Sequence, residues 1–413
     1  MRFIKLNMIK LFYIDLFFIL FTGYLIDIFK IPSFIKFIPD FINCIFFLYL
    51  LKRKNIGIVK KRNLTNFFII FFIIWTSITT VLNMTSPILF IWEARSFFRI
   101  FLFYYISLLI LEKKEQEKLY KLLLKLHTVN ILISLYQYFI LGINQDNLGG
   151  IFGISAGVNS FTNIYFCLIT ILVLIKFLRK QEKFLTLVWI LLSCLGVAAL
   201  AEIKIFFIEF LLIMLLVNFL LKPNIRTVKV IVVGLISIVL GMIILKFVFP
   251  IHYEILMNIS KLKEYSDMHG GGYGVSRFHI IRDINEFFFF GDYIKNIFGL
   301  GLGNCTMSSN SKLLTSNFYL KYSEYNYNWF SHVMIYLQTG IVGLILYLGI
   351  VFSFIYGAFF KKRFYVEKEY LIVYSVIVFI NIFYNHCIRV ETGYLLFLGF
   401  IFGLNKDYIK EIN

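Results

Sequence analysis

Charge is scarce in this sequence. Only 15% of its 413 residues are charged, and just 23 are acidic. Soluble globular chains carry roughly a quarter charged residues, so a water-soluble enzyme is excluded. Disorder is excluded from the other side, since it needs low hydrophobicity and high charge, whereas 60% of this chain is hydrophobic and its mean hydropathy is +0.82. Proline is rare (five residues), and no Pro- or Ser-rich linker marks off a soluble domain. The five cysteines (Cys44, Cys167, Cys194, Cys305, Cys387) are odd in number, scattered, and without CxxC spacing. Neither a disulfide framework nor a zinc site is indicated. HExxH, Walker and DxD-type patterns are all missing. Any catalysis is therefore expected to need no metal and no cofactor.

Apolar runs long enough to cross a ~30 Å hydrocarbon core recur along the whole length. Only helices and closed barrels satisfy their backbone in lipid, and uninterrupted runs favour helices over the alternation of barrel strands. The expectation is an all-α polytopic integral membrane protein with about twelve spans: 11–29, 34–51, 64–82, 98–111, 119–141, 161–178, 184–201, 205–221, 230–249, 333–359, 370–386 and 393–404. The organisation expected is nine spans in 1–249, one large extracytoplasmic loop with short helices at 250–328, and three spans plus a cytoplasmic tail in 329–413.

The net charge of +18 has a topological explanation. With the amino terminus inside, clusters of Lys and Arg fall in 1–10, 52–62, 112–118, 179–183, 222–229, 361–369 and 405–413, all cytoplasmic, while the outer 142–160 loop has none. That obeys the positive-inside rule, puts both termini in the cytoplasm, and removes nucleic acid as the reason for the charge. The amino terminus is basic then apolar, yet carries Asp15 and Asp27 and no small-residue cleavage motif, so it is expected to be a retained span.

The 79-residue segment 250–328 breaks the pattern of short turns. Loops of that length are usually functional or disordered, and its Phe, Ile and Leu content predicts order. Over VSRFHIIRDINEFFFF, helical spacing puts Phe278, Ile281, Ile284 and Phe288 near one face and Arg282, Asp283 and Glu286 on the other, as for a helix lying on a bilayer surface. GLGLGN (Gly299 to Asn304) lacks the spacing and βαβ context of a nucleotide loop and predicts a tight turn back to the membrane.

The most informative residues are cations on the face where the topology rule makes them rare. Arg95 and Arg99 lie at the outer end of span four, Lys204 in the LAEIK turn, Arg277 and Arg282 in the large loop, and Arg389 in HCIRVET. Each has two readings. A local acid would neutralise it (Glu93 for Arg95, Glu202 for Lys204, Glu391 for Arg389, Asp283 or Glu286 for Arg282), or the group binds an external anion. Arg277 has no acid within five positions. Planar guanidinium groups suit a diphosphate, such as the head of a lipid carrier. His332, where the large loop enters span ten, is the candidate general base facing that pocket, with core packing as its alternative. His127 and His386 suit packing, and His252, His269 and His279 lack metal-ligand spacing.

Three patches resemble the O-antigen polymerase/ligase family of bacterial membrane glycosyltransferases (Wzy-type polymerases and lipid A-core O-antigen ligases). SRFHIIRDINEF with NIFGLGLGN is similar to that family's Arg-containing loop helix and Gly-rich segment. SHVMIYLQTGIVGLILYL is similar to its signature of His entering a span, then Gln or Glu, then GxxGL. LGVAALAEIKIFFIEF is similar to a short turn where the family often has Ser-Arg, Lys204 here standing for the Arg; Val333 stands where Asn is common. The resemblance implies a bacterial inner-membrane enzyme that polymerises undecaprenyl-diphosphate-linked oligosaccharide at the outer leaflet. His332 would act as base, Arg277 would hold the leaving diphosphate, and Arg95, Arg99, Lys204, Arg282 and Arg389 would support it, with inversion at the anomeric carbon. A flippase and a chain-length regulator are the implied protein partners. Transfer to another acceptor (a ligase), a lipid-linked oligosaccharide flippase, and a scaffold whose loop binds partners are the competing readings.

Overall fold

The computed structural model describes residues 2–52, 63–267, 274–276, 279–308, 311–360, 367–387 and 391–404. Among the described residues the regular structure is helical, with no strand. Twelve helices have ten or more residues: α1 (Arg2–Asp27), α2 (Ile38–Lys52), α3 (Leu64–Leu82), α4 (Pro87–Ile110), α5 (Lys113–Phe139), α6 (Asn159–Leu178), α7 (Phe184–Leu200), α8 (Lys204–Leu220), α9 (Ile225–Val248), α10 (Ser331–Phe360), α11 (Lys368–Tyr384) and α12 (Thr392–Ile401).

Each apolar run read from the sequence falls on one of these helices. Six stretches are long and apolar enough to cross a membrane: Asn7–Asp27, Ser33–Lys52, Leu64–Leu82, Asn159–Leu178, Ile225–Val248 and Ser331–Phe360. A seventh is reached only if α4 and α5, which meet at 119°, count as one bent span. At 1.5 Å per residue, the 17 residues of α7, α8 and α11 and the 10 of α12 fall short of a ~30 Å core. The expected fourth span, 98–111, is the second half of a longer helix that begins at Pro87, whose fixed φ suits a first helical position.

α6 is the axis of the bundle. Every residue from Phe161 to Leu178 is buried, as a helix apolar on all sides requires. α9 shows the opposite case: only a third of it is buried, and Ile231, Val232, Leu235, Ile236, Val239 and Leu240 point outward. Together with Phe67, Phe71, Ile74 and Ile78 on α3 they form outward faces that water would not tolerate.

Between α9 and α10 the chain forms short helices at Pro250–Met257, Ile259–Asp267, Ile280–Ile284, Tyr293–Phe298 and Asn317–Tyr322. The helix expected within 275–290 is helical over 280–289, while residues 277 and 278 lie outside the described residues. The helix Ile280–Ile284 passes into a π-turn at Asn285–Phe289; Ile284 and Phe288 are buried and Arg282 and Glu286 exposed, as the spacing predicts, but Ile281 is exposed and Asp283 buried, its carboxylate accepting the Ser276 amide at 2.8 Å. Phe288 packs into a cluster of aromatic rings with Phe318, Tyr322, Tyr325 and Tyr327.

The Gly-rich segment is a turn, as expected, but its seat is a break in α10. Gly340 has φ +67° and ψ −172°, outside the helical region, so carbonyls before it lose their usual partners. The segment supplies replacements. Leu300 N donates to Leu337 O and Gly301 N to Gln338 O, both at 2.9 Å, and Trp75 Nε1 reaches Thr339 O at 2.8 Å. The fit admits no side chains: a Cβ on Gly340 would overlap the Ile297 carbonyl, and one on Gly299 (φ +70°) would stand 2.5 Å from the Gln338 backbone. Gln338 extends the seat, its Oε1 accepting the Gly303 amide at 2.7 Å and its Nε2 donating to Glu93 Oε1 at 2.9 Å. Thr306 donates to the other Glu93 oxygen at 2.6 Å. A broken helix is tolerated at membrane depth when its freed groups are buried against protein. Residues 299–306 are thereby anchored at one end of the bundle, called here the loop end.

Candidate functional site

The loop end holds most of the cations singled out from the sequence, in separate groups. Arg95 and Arg99 stand four residues apart on α4, hence on one face. Asp40, near the start of α2, serves both: it pairs with Arg95 and lies 3.3 Å from Arg99. Arg99 is buried, also reaches Glu391 at 3.6 Å, and lies over the Tyr394 ring at 5.2 Å. Arg95 keeps 27% of its side chain exposed and stacks 4.2 Å above Trp92, with Phe37 at 5.4 Å. Guanidinium over indole is a favourable cation–π contact. One expected pairing is thus corrected. Glu93 faces Gln338 and Thr306, and Arg95 takes Asp40, 55 positions away. Glu391, the acid expected for Arg389, lies 3.6 Å from Arg99, and Arg389 itself lies outside the described residues.

Lys204 begins α8 and is buried rather than placed in an open turn. It pairs with Glu202, as one reading expected, and its Nζ lies 3.1 Å from His252 Nδ1, an unforeseen neighbour. Partial burial and the adjacent Lys204 ammonium push the His252 pKa below its ordinary value, with Glu202 opposing. Arg282 is two-thirds exposed and its Nε donates to Asp283 at 3.1 Å. Arg277 and Arg389 lie outside the described residues.

His332 does not face a surface pocket: its exposure is 0%. Its ring lies against Phe383 at 4.6 Å and near Phe330. Nδ1 is 3.1 Å from the Ile382 carbonyl, which only accepts, so Nδ1 carries the proton and Nε2 is the basic nitrogen. The neighbouring Ser331 ties the start of α10 to the end of α11, donating from N and Oγ to Asn385 O at 3.1 and 2.9 Å and accepting the Cys387 amide at 2.8 Å.

Carboxylates inside apolar helices were not singled out from the sequence. Glu209 on α8 is fully buried and accepts from Asn163 Nδ2 (2.8 Å), Asn381 Nδ2 (2.6 Å) and Cys167 Sγ (3.2 Å). Asp15 on α1 is fully buried, with neither carboxylate oxygen hydrogen-bonded among the described residues. The signal was available: an acid within FFIEFLL or YIDLFF is costly in a span and marks a site by default.

A cavity of about 430 Å³ opens at the end opposite the loop end, lined by Lys113, Glu117, Tyr120, Lys121, Lys176 and Glu182. Lys176 there pairs with Glu117 at 2.6 Å, and Arg179 nearby with Glu367 and Glu369.

No family model matches the chain, and no curated protein or solved structure matches it either. The polymerase/ligase resemblance accordingly rests on its three sequence patches and the pattern of apolar runs.

Proposed function

We propose that the protein is a membrane glycosyltransferase that joins undecaprenyl-diphosphate-linked oligosaccharides at the outer leaflet of a bacterial inner membrane. This reading takes the twelve helices as twelve crossings, with both termini cytoplasmic and residues 250–328 outside. The observation that carries it is the Arg95–Arg99 pair at the loop end, two guanidinium groups on one helix face sharing a single carboxylate. An arriving diphosphate offers more acceptor oxygens than Asp40 and would take Arg95 first, since that group is partly exposed and already oriented by Trp92. Fixed cations there would stabilise the charge that develops as the glycosyl–phosphate bond breaks. His332 Nε2 would accept the proton of the attacking hydroxyl, and a single displacement would invert the anomeric carbon. Because His332 is enclosed, the reading requires the loop end to part when acceptor binds. Lys204 and Arg282, each on its own carboxylate, are left out of the leaving-group site.

The test is chain formation in membranes supplied with lipid-linked repeat units. The Arg95→Ala/Arg99→Ala double variant and His332→Ala should each lose polymer with the protein still present in the membrane. Near-normal polymer from either one refutes the assignment.

A flippase is the second reading. Two observations favour it: the break in α10 at Gly340 and the carboxylates Asp15 and Glu209 within helices, features that transporters place along their substrate paths. Single repeat units appearing at the outer leaflet, with no lengthening, would select it.

A further inference from the structure

We infer that Glu209 is a positioning residue for His332, acting through Asn381 and the last turn of α11. The inference rests on the proposed role of His332 as base and adds a residue to it. Glu209 sits in the second turn of α8, and among the described residues no cation pairs with it. Its acceptor capacity is met by neutral donors from two other helices, Asn163 and Cys167 of α6 and Asn381 of α11. Such an arrangement costs more than an apolar contact in the same place, so the geometry it imposes is the feature to explain.

What it imposes is the orientation of Asn381. That side chain is engaged at both atoms. Nδ2 donates to Glu209 Oε1 at 2.6 Å, while Oδ1 accepts from Asn163 Nδ2 at 3.1 Å and from Asn385 Nδ2 at 3.0 Å. Asn381 therefore fixes the rotation of the turn that ends α11. The next residue is Ile382. Its carbonyl is among the last four of the helix, which lack intrahelical partners, and His332 Nδ1 takes it at 3.1 Å. The path from Glu209 to the imidazole is thus one side-chain hydrogen bond, one peptide step and one backbone hydrogen bond. It decides which ring nitrogen of His332 is basic.

The experiment uses the full chain in lipid bilayers with ¹⁵N-labelled histidine, and reads the imidazole tautomer of His332 by solid-state NMR, its signal identified by its loss in His332→Gln. The wild type should show the Nδ1–H tautomer. Glu209→Leu removes the acceptor and Asn381→Ala removes the relay, and each should lower the Nδ1–H population by about half or more. Glu209→Gln still offers Asn381 an oxygen and should retain the wild-type signal, while Glu182→Gln, two residues before α7 and away from His332, should leave it untouched. Elution as a monodisperse species verifies folding, and the two disruptive variants serve as independent checks on one another. In a wild type that forms polymer, Glu209→Leu should lower kcat about tenfold or more with KM unchanged. An unaltered His332 signal in both folded disruptive variants overturns the inference, as does wild-type kcat in Glu209→Leu. If the tautomer responds but the wild type forms no polymer, the glycosyltransferase reading falls and the positioning role stands.

Discussion

Replacing Gly340 with alanine tests whether the break in α10 is a required seat for the 299–306 segment. The backbone there is in a region open essentially to glycine, costing any other residue on the order of 1–3 kcal/mol. The new methyl group would also overlap the Ile297 carbonyl, which belongs to main chain and has no rotamer to escape into. Relieving that overlap means withdrawing the segment, and with it the bonds from Leu300 N, Gly301 N and Trp75 Nε1 to the three carbonyls before the break. Each is worth about 0.5–1.5 kcal/mol net. The expected loss is therefore about 3–6 kcal/mol, several degrees or more in melting temperature for a protein of this size. Purified protein in detergent would be melted with monodispersity as readout, alongside limited proteolysis of the 250–330 segment, which should be cut faster. Gly196→Ala is the control. It is helical, nothing lies within 4 Å of its added Cβ, and alanine should hold or slightly raise stability. If Gly340→Ala melts with the wild type and its segment stays protected, the break is incidental and the docking argument fails.

Asp40→Ala should cost about 2–4 kcal/mol, toward the lower part of the range for breaking a buried pair because Glu391 still faces Arg99. Arg95→Ala should cost about 1 kcal/mol or less, its ion pair being partly exposed; equal melting shifts for the two would contradict the unequal burial of the two guanidinium groups. Glu93→Ala should destabilise by about 2–3 kcal/mol, since it strands the Gln338 amide and the Thr306 hydroxyl, whereas Glu93→Gln should stay within about 1 kcal/mol of wild type because that hydroxyl can turn to accept. The depressed His252 pKa predicts acid sensitivity. The unfolded chain takes up the proton at a higher pH than the folded one, so this stability is present above the unfolded pKa of about 6.5 and is lost as pH falls below it. Melting temperature measured from neutral to mildly acidic pH should fall less steeply in His252→Gln, and an unchanged slope would count against the Lys204 contact.

What could be read from the chain divides by the range of the interaction that decides it. Helix positions were legible because an apolar run is a local property, and each expected span lies on a helix. The count of crossings is less local. A 17-residue helix and a 119° bend between α4 and α5 differ from full spans by less than a hydropathy window resolves. The pairing of Lys204 with Glu202 lay two positions apart and was foreseen; Arg95 chose Asp40 over Glu93 because burial favours whichever carboxylate packing delivers, and sequence distance has no vote. The same reasoning explains His332. Its place at the mouth of a helix suggested an open pocket, yet the end of α11, fifty residues further on, closes over it and takes its Nδ1 proton. The one long-range feature that local reading had within reach was Glu209. A carboxylate in an unbroken apolar run is costly unless donors from elsewhere meet it, since no residue beside it in FFIEFLL can do so. Donors from other helices are the natural remedy, and the fold supplies them from α6 and α11.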